Sequence, residues 1–296
     1  MLELKTSIFL KILSSLFFLG SGIIWKKILI GDRKNYHFIF FRVTATLFFI
    51  SVIAVTLNFF GIDFFKPIDT TIISLKDWII CISICLFSFL GLYFYTNALQ
   101  VGRYSVAAPL VVISSAFSFL TSLMLYDETL SNSKYIALAF ILVGLLLHQK
   151  DQLRQFQMSK EVVLVILFSL FWGISFVFYL IPIKKFGVLF FSIILEICVL
   201  ISCVGLLIFK EKRLWPPKID RRSSFFCLLM GFLVSGGTLL SNFTLTQFPV
   251  SLNILIGLLF ELITLAVGLS FFKEKLHPKD YILIVFANVG AFLLLL

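Results

Sequence analysis

Apolar residues run along this chain in ten long blocks, separated by short polar or charged segments. The blocks lie near residues 7–25, 36–60, 78–99, 105–126, 133–149, 162–182, 187–209, 223–247, 250–272 and 279–296. A bilayer core takes roughly 20 apolar residues per helix, so each block is predicted to be one membrane-crossing helix. The connections are short, which sets neighbouring helices antiparallel. The longest run from Gly61 to Asp77 and from Lys210 to Arg222. The stretch from Lys150 to Lys160 has no strong apolar run and falls at the midpoint. It divides the chain into a first repeat (1–149), a linker (150–160) and a second repeat (161–296).

The two halves echo each other. Tyr126-Asp127-Glu128-Thr129-Leu130 closes the fourth block and Phe272-Lys273-Glu274-Lys275-Leu276 closes the ninth, placing Glu128 and Glu274 146 positions apart. Tyr135 and Tyr281 repeat at that offset, as do Gly144 and Gly290. The starts also match: Ser15-Leu16-Phe17-Phe18-Leu19-Gly20-Ser21-Gly22 resembles Ser169-Leu170-Phe171-Trp172-Gly173-Ile174-Ser175. Each half holds five blocks. A unit with an odd number of crossings, copied head to tail, enters the membrane the opposite way the second time. The predicted fold is an all-α integral membrane protein of ten transmembrane helices, built as two inverted five-helix repeats. Such repeats are typical of transporters that work by alternating access, with substrate near the midplane.

Composition supports the membrane reading. Hydrophobic residues make up 60% of the 296 and charged residues 14%, with 37 Phe, whereas soluble domains sit near half apolar and a quarter charged. Residues Ile8 to Gly22 do not read as a cleaved signal, because another apolar block follows with no cleavage pattern between. Cys81, Cys85, Cys198, Cys203 and Cys227 all fall inside apolar blocks and are expected to be small buried hydrophobes without metal or redox use. The net charge of +10 comes mostly from short loops, the usual place in membrane proteins, and does not argue for nucleic acid. No Walker motif, zinc helix or nucleophile elbow is found, so no enzymatic site and no cofactor is expected.

Several of these stretches resemble the drug/metabolite transporter superfamily, in particular its ten-helix EamA-type members. Trp172-Gly173 matches the small-residue start of a repeat, Phe40-Phe41-Arg42 the second-helix arginine, and Asp127-Glu128-Thr129-Leu130 and Lys273-Glu274-Lys275-Leu276 the endings of the fourth and ninth helices. Asp127 and Lys273 replace the family's glycine before the glutamate, and Leu19-Gly20 stands where Trp-Gly is usual. The resemblance spans the whole chain. It implies small-molecule transport through a central cavity enclosed by the first, third, fourth, sixth, eighth and ninth helices.

Polar stripes fall on those same helices. Of 25 Lys/Arg and 15 Asp/Glu, Arg42, Glu196 and Glu261 are read as lying well inside blocks, where a charge costs roughly 2.5–3.5 kcal/mol on insertion scales. Arg42 lies near the loop holding Arg33 and Lys34 and is expected to snorkel to the interface. A pair with Glu196 is the alternative. In the ninth block Asn253, Gly257, Glu261, Thr264 and Gly268 share one helix face. A carboxylate there suits a substrate ammonium or a proton, with a packing role as the alternative. The third block offers Tyr93, Asn97 and Gln100, the eighth Ser235, Thr238, Ser241 and Asn242. The sixth offers Trp172, Ser175, Phe176 and Tyr179, the fourth Ser114, Ser115 and Ser118, the first Ser14, Ser21 and Trp25. Each Ser or Thr also suits interhelical contact or a bond to its own backbone, and Trp25 also suits an interfacial belt. The expected substrate-binding set is Glu261, Asn253, Asn97, Tyr93, Trp172, Ser175, Tyr179, Asn242, Thr238 and Ser114.

These readings describe a secondary transporter, an exporter or exchanger, of small polar or amphipathic metabolites such as amino acids. A non-transporting membrane scaffold or lipid-handling protein is the alternative. The expected partners are the small-molecule substrate and the bilayer, with a homodimer also allowed, in a multi-pass protein of the bacterial inner membrane. Odd-numbered loops carry seventeen Lys/Arg against seven at the N-terminal end and in even loops, Lys5 and Lys11 among the seven. That bias sets both termini outside, whereas the resemblance implies cytoplasmic termini.

Overall fold

A computed structural model describes residues 4–29, 34–61, 66–67, 69, 71–101, 112–126, 132–148, 160–247, 249–254, 256–257 and 278–295. Among these, every regular element is helical. In chain order they are α1 (Leu4–Ile28), α2 (Asn35–Phe59), α3 (Leu75–Val101), α4 (Val112–Tyr126), α5 (Asn132–His148), α6 (Lys160–Phe178), α7 (Leu180–Phe186), α8 (Val188–Glu211), α9 (Arg221–Thr244) and α10 (Pro278–Leu295). Residues 250–254 are helical as well. Six described helical stretches are long and apolar enough to cross a membrane: Lys5–Ile28, α2, α3, Val163–Phe186, α8 and α9. At 24–27 residues and 1.5 Å per residue they exceed the ~30 Å hydrocarbon core. Every apolar block read from the sequence contains described helical residues.

Helix is the state these residues must adopt in lipid, where only intrasegment bonds can satisfy the backbone. Hydroxyls inside the spans follow the same rule. Thr44 donates to Phe40 O, Thr46 to Arg42 O, Ser192 to Val188 O and Ser202 to Cys198 O, at 2.7–3.0 Å. The helix ends have local causes. Pro182 has no N–H to pair with Phe178 O, so the span breaks at Tyr179 between α6 and α7. Gly187 separates α7 from α8 at φ 78°, a conformation open to glycine. Asp220 caps α9 by accepting the Ser223 amide at 3.0 Å. Large apolar side chains such as Phe48, Val55, Ile201, Phe209 and Phe225 point outward, as lipid-facing surface requires. The five cysteines are free and buried.

Helices of the two halves interleave rather than forming separate bodies. α1 packs on α9, α3 on α6, α2 on α8 and on α9, and α5 on α10. α1 runs antiparallel to α9: Lys11 reaches Ser241, Ser14 reaches Gly237, and Gly20 lies against Leu233. α3 runs antiparallel to α6, with Tyr95 on Phe168 and Ser88 on Tyr179. α2 runs antiparallel to α8, with Tyr36 at Glu211 and Arg42 at Glu196. Glycines set the close approaches. A Cβ on Gly91 would meet Trp172 at 3.0 Å, and one on Gly237 would meet Phe18 at 3.2 Å. Gly91 and Gly237 are themselves 146 positions apart, so one contact is made twice with the halves exchanged. Phe140 and Phe286 share that offset, and their rings meet 5.7 Å apart where α5 crosses α10.

Two apolar cores result, each drawn from both halves. One joins Ile39, Val43 and Leu99 to Leu207 and Met230. The other joins Ile50, Cys85 and Phe119 to Ile183, Phe191 and Leu195. Polar ties bind the halves at either end of α2. At its start, Glu211 Oε1 accepts from Tyr36 at 2.6 Å and Lys34 at 2.9 Å, and His37 Nε2 lies 2.7 Å from it. Beyond its end, Asp69 pairs with Lys185 at 2.7 Å, and its amide donates to Lys184 O at 2.8 Å.

The Gly231 approach gives a first test. A Cβ there would meet Ala45 Cβ at 2.4 Å and the Ala45–Thr46 backbone at 2.9 Å, while one on exposed Gly205 meets nothing within 4 Å. We expect Gly231→Ala to destabilise the protein by about 1–3 kcal/mol, and Gly205→Ala to leave it unchanged or slightly more stable, in detergent unfolding curves. A second test is acid dependence. Lys185 beside Asp69, helped by Thr71, holds the Asp69 carboxyl down at about 2 from the ordinary 3.8. A depressed pKa stabilises above the unfolded value and loses its contribution as pH falls towards the folded one. Protection of the Asp69 amide from hydrogen exchange should fall between pH 4 and pH 2, and Asp69→Asn should remove that step.

Candidate functional site

One cavity of about 290 Å³ opens between the halves, near the lower end of the range for small-molecule sites (about 300–1,000 Å³). α1, α2, α3, α4, α6, α8, α9 and Asn253, Ile254 and Gly257 all contribute to it, so both halves form its wall. Its apolar lining is rich in aromatic rings. Phe168, Trp172 and Phe176 recur every four residues along one face of α6, and Phe18 and Trp25 join the lining from α1. α4 comes close to α6 because Gly173 has no side chain: a Cβ there would meet Ser114 O at 2.5 Å. Ser118 donates to Gly173 O at 2.8 Å across that contact.

Its polar lining is held by several hydrogen-bonded pairs. Arg42 Nη1 donates to both Glu196 oxygens, at 2.7 and 2.8 Å, and both residues are 3% exposed. Ser192, one turn before Glu196 on α8, accepts from Asn242 Nδ2 at 3.0 Å. Asn253 Nδ2 donates to Thr244 Oγ1 at 3.2 Å. Lys11 donates to Ser241 at 3.3 Å and stands 5.5 Å from the centre of the Phe176 ring, a cation–π distance. Two polar atoms on this wall, Arg42 Nε and Asn253 Oδ1, are buried without a hydrogen-bond partner among the described residues.

Six of the ten residues singled out from the sequence line the cavity: Trp172, Tyr179, Thr238, Asn242, Asn253 and Ser114. Three sit elsewhere. Asn97 donates to Tyr93 O of its own helix at 2.7 Å. Tyr93 lies between the lining residues Leu92 and Tyr95 but is not itself in the lining, and its hydroxyl accepts from Lys210 at 3.1 Å. Ser175 is buried and donates to Trp172 O at 3.1 Å. Glu261 lies outside the described residues. Arg42 does not snorkel: desolvation is offset by the Glu196 carboxylate on the equivalent helix of the other half, not by water. Trp25 is 3% exposed and turned into the cavity, not into a belt. Lys11 escaped the sequence reading because it was counted with the N-terminal charges. Its signal was present in the spacing of Lys11, Ser14, Ser15, Phe18 and Gly22, which share one helix face.

Comparison with known proteins follows the same lines. The EamA-like transporter family profile matches the chain twice, over residues 6–148 and 159–296. A solved structure described only as "Crystal structure of protein" superposes with a TM-score of 0.65 at 14% identity, over 98% of this chain and 96% of its own, which is a likeness of fold. No curated protein matches the sequence.

The buried ion pair gives the test of the site. Removing one partner strands a charge in an apolar wall, which costs about 3–5 kcal/mol, while replacing both by packed apolar residues is often close to neutral. We expect Arg42→Met and Glu196→Gln each to lower stability by that amount in detergent unfolding. The double variant Arg42→Met/Glu196→Met should lie closer to the parent than either. Single variants as stable as the parent would show that the pair does not join the halves.

Proposed function

We propose that this chain, which belongs to the EamA-like transporter family, is a secondary transporter of small polar or amphipathic metabolites such as amino acids. It works as an exporter or exchanger by alternating access. The observation that carries this reading is the cavity walled by helices of both halves, whose lining combines aromatic rings with polar and charged side chains. A ligand with an apolar body and a polar head suits such a site.

In this proposal the repeats are residues 1–149 and 161–296, joined by the linker 150–160. They are inverted, make ten crossings, and rock against each other around the cavity. The antiparallel course of α2 and α8 supports inversion, because second helices of parallel repeats would run the same way. The exchanged Gly91–Trp172 and Gly237–Phe18 contacts support equivalence of the halves. Trp172, Tyr179, Thr238, Asn242, Asn253 and Ser114 are assigned to substrate contact, together with Glu261 as a carboxylate for an ammonium or a proton. Asn97, Tyr93 and Ser175 support the wall from behind. The protein is multi-pass in the membrane, and we assign it to the bacterial inner membrane with both termini outside, on the charge bias of its loops.

Proteoliposomes containing the purified protein test this directly. We expect counterflow of at least one amino acid or related metabolite, absent from empty vesicles. Glu261→Gln should cut uptake strongly while leaving the unfolding temperature near that of the parent. Uptake that is unchanged in the variant at every pH would remove Glu261 from the mechanism.

A further inference from the structure

At the membrane face that holds the end of α1 and the start of α9, two cations from different halves share one aromatic ring. Lys27 Nζ stands 5.0 Å from the centre of the Phe226 ring, and the Arg222 guanidinium carbon 5.9 Å from it, both cation–π distances. Lys27 belongs to the last turn of α1 and Arg222 to the first turn of α9. Both side chains are exposed, and among the described residues neither has an acidic or hydrogen-bonded partner. The acid nearest to Arg222 in the sequence, Asp220, turns its oxygens to the Ser223 amide at 3.0 Å and the Ser223 hydroxyl at 2.7 Å. Two like charges are thus drawn to one ring with no carboxylate of the described residues to balance them. Towards the membrane interior the same face of α9 is apolar. Arg222, Phe225, Leu229 and Phe232 recur at spacings of three, four and three, so they share one helix face. Phe225 is 61% exposed, Leu229 37% and Phe232 49%. Phe17 of α1 and Phe49 of α2 extend this surface, their ring centres 6.4 and 5.4 Å from that of Phe232.

We propose that Lys27 and Arg222, held at the Phe226 ring, bind the phosphodiester of one anionic phospholipid, whose acyl chains lie along Phe225, Leu229 and Phe232. Charge complementarity and position select this occupant. The apolar residues belong to a segment long and apolar enough to cross a membrane, so acyl chains are what surrounds them. The cations stand at the end of that segment, at headgroup depth. A phosphodiester there balances the positive charge, and its two unesterified oxygens accept from an ammonium and a guanidinium at once. A phosphatidylcholine headgroup brings its own trimethylammonium, a third cation beside the two already at the ring, so the site prefers a headgroup without one. The ring keeps two flexible side chains near each other and so lowers the ordering cost of binding. Because one cation comes from each half, the bound lipid spans the seam between α1 and α9. The site is separate from the central cavity, since Lys27, Arg222 and Phe226 are not in its lining.

Native mass spectrometry of the full chain in detergent tests this with two lipids of identical chains, phosphatidylglycerol and phosphatidylcholine. We expect the first phosphatidylglycerol to be retained at least about tenfold more tightly than phosphatidylcholine. Lys27→Gln/Arg222→Gln should abolish that preference, and Lys27→Arg/Arg222→Lys, which keeps both charges, should preserve most of it. Lys212→Gln/Lys218→Gln removes two other exposed cations of the same membrane face and should leave the preference unchanged. Glycerol 3-phosphate, which has the phosphate but no acyl chains, should not displace the lipid at equal concentration. Equal retention of the two lipids by the parent overturns the proposal whether or not any variant folds. A preference that survives Lys27→Gln/Arg222→Gln does the same. So does an equal loss in the Lys212/Lys218 variant, which would mean a diffuse surface field. Displacement by glycerol 3-phosphate would mean a soluble-anion site, and a dimer forming in place of the lipid complex would mean a second copy of the chain; either also overturns it.

Discussion

A guanidinium and a carboxylate meet in the apolar middle of this protein, and much of the structure follows from the need to keep them together. Each ion alone would carry a desolvation cost of several kcal/mol. Arg42 comes from the second helix of the first half, Glu196 from the corresponding helix of the second. Their pairing therefore fixes how α2 sits against α8. It also lies where the two apolar cores meet, next to Val43 of one and Leu195 of the other. Separating the halves at this depth would leave each charge without its partner.

Around that tie, the packing rests on small residues. Association of helices in lipid gains little from burying more apolar surface, so close van der Waals contact has to supply the attraction. Gly91, Gly144, Gly231 and Gly237 each let a neighbouring backbone or ring come closer than a side chain would permit. Where α1, α4 and α6 carry large rings and serines instead, the helices enclose a cavity. Close contacts at glycines and bulky residues around the cavity are thus two parts of one arrangement.

The polar ties at the ends of α2 act at lower cost. Glu211 with Tyr36, His37 and Lys34 closes one end, and Asp69 with Lys185 closes the other. Lys34 is exposed, and an exposed ion pair is worth little individually, whereas Tyr36 and His37 meet Glu211 in a largely buried setting. The halves are thus joined by a buried pair between the cores and by polar contacts at both ends of α2.

The sequence by itself determined the helical membrane character, the location of most helices and the twofold repetition of motifs. Block length and composition leave the backbone no other state in lipid, and Glu128/Glu274 and Gly144/Gly290 carry the repeat at a fixed offset. It also pointed to six cavity residues, because polar side chains sharing a helix face in lipid must meet something polar. It could not say which polar face meets a cavity and which meets another helix. Asn97 and Ser175 have the same spacing logic as Asn242 and Trp172, yet bond within their own helices. Arg42 read as a residue near a loop, because its partner is 154 positions away and one-dimensional spacing holds no trace of that distance. Lys11 read as a terminal charge for the same reason. Helix-face periodicity is a property of one segment, but whether a face lines a cavity depends on the segments that oppose it, and only the tertiary structure brings those together.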